Sequence, residues 1–278
     1  MNKADQRKAL SAAVRAARAA GKVMRQNLHA AKFVNLATPH DIKLELDVRC
    51  QKLIERRLKE AFPEVAFLGE EGESGDANAA ARWVVDPIDG TVNYAYAIPH
   101  AAVSIALQIR SQKSEARGRR TRRSSILHPP SSFKTLLGVI YDPFQDELWT
   151  AIRGEPARYN GRVIHVSSRK SLADALVAIG FAKTKDNLRK TLPYFGRLAR
   201  RVRKVRVCGS AALALTYVAM GRFDAYVERG IRLWDIAAGG LIIECAGGKF
   251  WHEPVAGHLK YRLVASNGHL HAQLPPPG

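Results

Sequence analysis

Apolar positions in the first 27 residues recur at three- and four-residue steps: Leu10, Val14, Ala17, Gly21 and Met24. This spacing lines up one face of a helix. The stretch is also rich in Arg and Lys, as a transit peptide would be, but the stripe reads as a core-facing helix. After a break at Thr38-Pro39, a second helix is predicted from about Asp47 to Ala61. Val48, Cys50, Leu53, Ile54, Leu58 and Ala61 mark its inward side, and Pro63 ends it. Short apolar runs follow. Val65 to Leu68 predicts a buried strand that stops at Gly69-Glu70-Glu71-Gly72. Asp76 to Arg82 reads as a polar, alanine-rich connector. Trp83-Val84-Val85 predicts a strand ending at Asp86-Pro87, because proline lacks the amide hydrogen that the ladder needs. Ala102 to Gln108 and Leu136 to Tyr141 read as neighbouring strands, with further strands at Asp146 to Ala151 and Arg162 to Val166.

From about Ser167 the pattern alternates. Strands are predicted at Ala175 to Gly180, Lys204 to Cys208 and Phe223 to Glu228. Helices are predicted at Leu188 to Arg200, Ser210 to Met220 and Asp235 to Cys245, the last closed by Gly247-Gly248. His269 and His271 fall in a tail expected to fray. The fold class is therefore α/β: an antiparallel-rich α+β first half, 1–166, and an α/β second half, 167–278, together forming one domain.

Composition narrows the class. The chain has 278 residues and is 46% hydrophobic, enough for a sizeable core and unlike a disordered tail. Its three cysteines, Cys50, Cys208 and Cys245, are isolated and without metal-ligand spacing, which suits reduced thiols in a cytoplasmic setting. No run approaches the ~20 apolar residues of a membrane span. The formal charge of +19 favours anionic partners. It is concentrated in two clusters. Arg110, Lys113, Arg117, Arg119, Arg120, Arg122, Arg123 and Lys134 face one acid, Glu115, in a Ser/Arg/Pro segment at about 111–134 that reads as a long loop splitting a hairpin. Arg197, Arg200, Arg201, Arg203, Lys204 and Arg206 form the second cluster. Neither has the interleaved aromatics of a stacking platform. Both read first as solvated surface, with RNA contact as the other reading.

The candidate chemistry lies in acids placed after apolar runs. In Asp86-Pro87-Ile88-Asp89-Gly90-Thr91, two carboxylates come close enough to repel each other unless a cation lies between them. Gly90 lets backbone approach a ligand, and Thr91 opens a helix whose free amides suit a phosphate. Taken alone, the segment reads equally well as a type I turn with an aspartate cap. Asp235, after Trp234, reads alone as a helix cap. Glu70-Glu71 alone reads as a solvated loop. The weight lies in the co-occurrence of three acid-bearing loops, each after an apolar run and each next to glycine.

At this point a resemblance becomes specific. Trp83-Val84-Val85-Asp86-Pro87-Ile88-Asp89-Gly90-Thr91-Val92-Asn93-Tyr94 resembles the first signature of the inositol monophosphatase family, and Trp234-Asp235-Ile236-Ala237-Ala238-Gly239 resembles its second. Gly69-Glu70-Glu71, Ile98-Pro99-His100 and Asn160 to Ser167 are similar to further family segments. The likeness runs from about Ala9 to Asn267. It implies a layered αβαβα fold and a magnesium-dependent, lithium-sensitive phosphatase acting as a homodimer on a small polyol or sugar phosphate by direct attack of metal-activated water. Two to three Mg2+ ions would be held by Glu70, Asp86, the Ile88 carbonyl, Asp89 and Asp235. Glu70, Thr91 and Asp47 would be catalytic. Ile88, Asp89, Gly90, Thr91, Gly209, Ser210, Ala211, Glu228 and Asp235 would contact substrate. An oxygen-only ligand set suits magnesium.

There are departures. Around Asp47 the family often shows Thr-x-Ala-Asp where this chain has Leu44-Glu45-Leu46-Asp47. A lysine often found upstream has no clear match, Lys32 being nearby. The basic insertion is unusual. His252-Glu253 and His258 have the wrong spacing for a zinc-protease helix, and no phosphate-binding loop, hydrolase elbow or dinucleotide fingerprint is present. Besides inositol monophosphate, the alternatives are fructose 1,6-bisphosphate, histidinol phosphate or a 3′-phosphonucleotide as substrate. A different class, an RNA- or transcription-complex-binding protein with vestigial activity, also stands.

Overall fold

The computed structural model describes residues 1–37, 42–111, 133–182 and 184–278. The Thr38-Pro39 break and residues 112–132 of the loop expected at about 111–134 lie outside them, whereas Phe133 and Lys134 already begin a strand. Helices α1 (Lys3–Asn27) and α2 (Glu45–Ala61) flank the short pair β1 (Val34–Ala37) and β2 (Ile42–Leu44). The stripe of α1 is seated mainly on alanines: Ala9, Ala13, Ala16, Ala17 and Ala20 are fully buried, whereas Leu10 and Val14 sit at the margin. Small side chains let the helix lie close to its neighbours.

The large sheet holds eight strands among the described residues: β3 (Ala66–Gly69), β4 (Gly72–Ser74), β5 (Ala81–Asp89), β6 (Ala102–Arg110), β7 (Phe133–Asp142), β8 (Glu147–Ile152), β9 (Arg158–Tyr159) and β10 (Arg162–Val163). Its order is β10-β9-β8-β7-β6-β5-β3-β4, antiparallel except where β3 runs parallel to β5. Helix α3 (Thr91–Ala95) follows β5. The second sheet comprises β11 (Leu176–Phe181), β12 (Lys204–Arg206), β13 (Ala225–Arg232), β14 (Lys249–Pro254) and β15 (Lys260–Ser266), in the order β12-β11-β13-β15-β14. The interleaved helices are α4 (Lys185–Ala199), α5 (Ala211–Ala219) and α6 (Leu233–Cys245).

α5 and α6 lie between the sheets. One core cluster joins Leu68, Val84, Ala106 and Ile140 of the large sheet to α5, α6 and the inner face of the small one. A second fills the space between the large sheet and α1 and α2. The layers are therefore helix, sheet, helix, sheet, with α4 on the outer face of the small sheet over Val177, Ile179 and Val227. α6 has small residues at Ala237-Ala238-Gly239-Gly240, and a Cβ on Gly138 of β7 would stand 2.8 Å from the Ala238 carbonyl oxygen. That close approach fixes the height of α6 above the strands.

Four expectations are corrected. β5 does not stop at Pro87 but runs on to Asp89, because Pro87 sits in a register shift between Asp86 and Asp89, beyond the pairing with β3, where no ladder hydrogen bond is lost. The connector from Asp76 ends early, since Ala81 and Arg82 already belong to β5. Arg162 to Val166 forms only the two-residue β10. The C-terminal tail does not fray: Leu270 and Leu274 are buried and His271 Nδ1 lies 3.0 Å from Ser266 Oγ. Among the described residues no helix is long and apolar enough to cross a membrane.

Candidate active site

Three strand ends and two helix starts converge on one acidic seam. The first acid comes from the loop after β3. Glu70 N–H donates to the Val85 carbonyl at 3.1 Å, tying the loop to β5. Gln51, buried on α2, holds the next turn: its Oε1 accepts from Glu71 N–H at 2.8 Å and its Nε2 donates to the Gly72 carbonyl at 3.3 Å. One turn earlier on α2, Asp47 Oδ2 accepts from Leu44 N–H at 2.7 Å. The aspartate therefore braces the first turn even though the preceding Thr and Ala of the family pattern are replaced.

The end of β5 supplies the next acids. Asp86 Oδ1 accepts from Ile88 N–H at 3.0 Å, and the Ile88 carbonyl accepts from the Thr91 hydroxyl at 2.9 Å. Gly90 turns the chain with φ of +94°, a left-handed conformation costly for other residues. A Cβ there would stand 3.0 Å from the His100 carbonyl and 3.2 Å from the Gly209 carbonyl. Asn93 of α3 bridges the same two loops, its Nδ2 donating to the His100 and Cys208 carbonyls, each at 2.9 Å. The β5 loop and the loop before α5 are thereby locked together.

Asp89 makes the link from the other side. Its Oδ1 accepts from Ala211 N–H at 3.2 Å and its Oδ2 from Ala212 N–H at 2.9 Å, with the Ser210 hydroxyl also donating to it. Asp89 thus caps α5, where the helix dipole favours a negative charge. The last acids come from the second lobe. Glu228 on β13 accepts from the Tyr226 hydroxyl. Asp235 is the third residue of α6 rather than its cap, and its Oδ2 accepts from Arg232 N–H at 2.9 Å.

The charges are strongly coupled. Burial, with Glu70, Asp89 and Asp235 near by, raises the Asp86 carboxyl well above the usual carboxylate range. Burial, with Asp89 and Glu70, does the same to Asp235. Burial lifts Asp89 to about 6 against the pull of its Ser210, Ala212 and Ala211 donors. Burial lifts Glu228 to about 7, opposed by the Tyr226 hydroxyl. Among the described residues no cationic side chain pairs with Asp86, Asp89 or Asp235. Asp86, Asp89 and Asp235 each offer an oxygen, and the three oxygens lie within 4.8 Å of one another. That hard, oxygen-only set fits a divalent cation such as magnesium. Beside the seam opens a cavity of 370 Å³, lined by Asp89, Gly209, Ser210, Ala211, Glu228 and Asp235 with an apolar lip at Val92 and Val207.

The structure therefore gathers Glu70, Asp86, Ile88, Asp89, Gly90, Thr91, Gly209, Ser210, Ala211, Glu228 and Asp235 at one place, with Asp47 close enough to raise Asp86 further. Lys32 is used elsewhere. Its Nζ donates to the carbonyls of Asn27, Leu28 and Ala30 and so caps α1. Sequence reasoning missed Tyr226, Asn93 and Gln51. Tyr226 stands two residues before Glu228 on the same strand face, a period-two signal that could have found it. Gln51 is a polar residue on the buried side of α2, and Asn93 lay inside the signature without an assigned role.

A family model described as the inositol monophosphatase family matches residues 5–114 and 132–274, skipping most of the basic insertion. Inositol monophosphatase 1 of Solanum lycopersicum is 35% identical over 271 residues, covering 94% of this chain and 91% of that protein. Nus factor SuhB of Xylella fastidiosa is 36% identical over 246 residues, covering 87% and 81%. Among solved structures, the inositol monophosphatase from Anabaena matches with a TM-score of 0.77 at 33% identity over 98% of both chains. The suhB protein from Bartonella henselae matches with a TM-score of 0.81 at 33% identity over 95% of both.

Proposed function

The chain belongs to the inositol monophosphatase family, and we propose that it hydrolyses inositol monophosphate or a similar small polyol or sugar phosphate in a magnesium-dependent reaction. The observation that carries this reading is the convergence of Asp86, Asp89 and Asp235 beside a cavity that ends at Glu228. Asp86, Asp89, Asp235, Glu70 and the Ile88 carbonyl would hold two to three magnesium ions. Bound there, the metal supplies neutralisation of the phosphate, activation of the attacking water and stabilisation of the leaving oxygen.

The chain's own groups do the rest. The Gly90 and Thr91 amides, at the start of α3, orient the phosphate. Glu70 and Thr91, with Asp47 behind them, position the water. Glu228, lifted to about 7 by burial, gains or loses a proton near neutral pH, so it can accept from or donate to a hydroxyl of the leaving group. An acid at that end suits a neutral polyol better than a second phosphate. Gly209, Ser210 and Ala211 form the opposite wall. Lithium inhibition, a homodimer and a cytoplasmic setting accompany this reading on the strength of the family resemblance.

The test is phosphate release from inositol 1-phosphate, glycerol 2-phosphate, fructose 1,6-bisphosphate, histidinol phosphate and 3′-phosphoadenosine 5′-phosphate, with magnesium, with EDTA and with lithium. The expected result is magnesium-dependent turnover, fastest on the polyol phosphates. Faster turnover of a doubly charged substrate would replace the polyol reading with one of the other phosphatase readings.

One observation favours a second role. Arg197, Arg200, Arg201, Arg203, Lys204 and Arg206 are all exposed along the end of α4 and the edge strand β12, where Asp174 pairs with Arg203. Relatives carry the name Nus factor. RNA contact along this edge would show as an affinity that falls steeply with salt. Failure of Arg200→Glu with Arg201→Glu to weaken RNA binding would remove it.

A further inference from the structure

Where the small sheet faces the cavity beside the seam, it sets large polar side chains against small ones. Tyr226 and Glu228 alternate along β13 and so project from one face. Opposite them on β11 stand Ala178 and Gly180. On the other flank β15 sets Ala265 opposite Tyr226. Ala178, Gly180, Tyr226 and Glu228 all line the 370 Å³ cavity. The small neighbours leave room for the tyrosine ring, which is 3% exposed. Gly180 does the same for the carboxylate. A Cβ there would stand 2.5 Å from Glu228 Cδ, so a side chain at this position would displace the acid. Gly180 is not among the glycines with positive φ, so what the site uses is its missing side chain, not its backbone freedom.

The carboxylate is also held from within its own strand. The Tyr226 hydroxyl donates to Glu228 Oε2, and among the described residues this is the one hydrogen bond of the Glu228 side chain. A phenol keeps its hydrogen at neutral pH and can serve as this donor. Oε1 is left for an occupant of the cavity, whose lining contains no Lys, Arg or His to claim it. A free glutamate would have to freeze its torsions when substrate binds. One already tied at Oε2 has less freedom to lose, and the tie fixes which oxygen meets the substrate. A site built in advance for a hydroxyl rejects an analogue without one, because its own polar group is then left unpaired.

We propose that Tyr226 is a specificity-determining positioning residue: with Gly180 opposite, it holds Glu228 Oε1 toward the cavity, so that the site selects phosphate monoesters whose leaving group carries a further hydroxyl over those that lack one. This rests on the phosphatase reading above and adds to it the means by which the leaving group is chosen.

The test compares kcat/KM for inositol 1-phosphate with that for cyclohexyl phosphate, which keeps the ring and lacks the hydroxyls, at saturating magnesium. The wild-type protein should prefer inositol 1-phosphate by about a hundredfold or more. Tyr226→Phe should cut that preference about tenfold, chiefly through KM. Gly180→Ala, which pushes the carboxylate from the other side, should cut it likewise and keeps the site readable if the tyrosine variant does not fold. In a Glu228→Ala background, Tyr226→Phe should change the preference no further. A tyrosine that only braced the sheet would lower both rates together and leave their ratio alone. Equal turnover of both esters by the wild type, an unchanged preference in Tyr226→Phe and Gly180→Ala, or a Tyr226→Phe effect that persists without the Glu228 carboxylate would overturn this proposal and leave the phosphatase reading standing. Absence of magnesium-dependent turnover of any phosphate ester by the wild type would remove both.

Discussion

Buried carboxylates occur in two settings in this molecule. Asp224, at 0% exposure, accepts from the Ser167 hydroxyl, from Leu176 N–H at 2.8 Å and from Arg169 Nη1 at 3.1 Å. Glu147 is held likewise by both terminal nitrogens of Arg222 and by the Tyr159 hydroxyl. In these places the protein supplies the counter-charge, and the acid is part of the scaffold. At the seam the acids Asp86 and Asp235 instead face Glu70, Asp89 and each other, and their carboxyls rise. Burial alone therefore does not mark a functional acid. What sets the seam apart is burial among other acids, which destabilises the folded chain unless a cation joins them. Asp89 belongs to both classes, because it faces the seam and also caps α5.

The contrast can be broken most decisively at Asp235. Asp235→Asn keeps an acceptor for Arg232 N–H but removes a ligand charge. Turnover should fall by about 10³-fold or more, several kcal/mol of transition-state stabilisation, while denaturant unfolding of the metal-free protein shows no loss of stability. Asp224→Ala should do the reverse. It strands buried donors and should cost about 3 kcal/mol in urea unfolding, with the magnesium concentration for half-activation unchanged. Asp89→Ala should show both defects, losing turnover and about 1 kcal/mol of helix capping, as seen in parallel assays of rate and unfolding. Glu228→Gln tests the substrate end: KM for inositol 1-phosphate should rise by about tenfold, roughly 1.4 kcal/mol, with a smaller change in kcat.

The smallest effect concerns Asp142, a buried acid that accepts from Phe144 and Gln145 N–H. Burial lifts its carboxyl from 3.8 to about 6. Between these values the folded chain binds this proton more tightly than the unfolded chain, so its contribution to stability falls as pH rises from about 4 to about 6. Asp142→Asn should remove that slope from the pH dependence of urea unfolding. An unchanged slope would place Asp142 with the fully compensated acids.

Much of this was legible in the chain. The three acid loops, each after an apolar run, fixed where strands end, and the small-residue run from Ala237 to Gly240 marked a helix packed close to a sheet. Pro87 misled because a strand boundary was inferred from its missing N–H, while the register shift that makes this N–H unnecessary is a property of the partner strand β6. The helix cap made by Asp89 was invisible because its donors, Ser210, Ala211 and Ala212, lie more than 120 residues away. Lys32 was close in sequence to the expected lysine, but local carbonyls at the end of α1 claim its ammonium group. Local patterns specify elements; contacts between distant elements decide which polar groups remain for chemistry.

The central claim is that the Asp86, Asp89 and Asp235 cluster exists to hold divalent cations. Its most direct test is thermal melting of the wild-type chain and of Asp86→Asn, each in EDTA and in saturating magnesium. Binding at 100 times Kd is worth about 2.7 kcal/mol, or about 5–10 °C in a chain of this size. Magnesium should raise the wild-type Tm by that amount and the variant Tm by much less, and in EDTA the variant should melt at or above the wild-type temperature. A wild-type Tm unmoved by magnesium, or a variant that melts several degrees lower in EDTA, would contradict the account and make Asp86 a structural acid of the Asp224 kind.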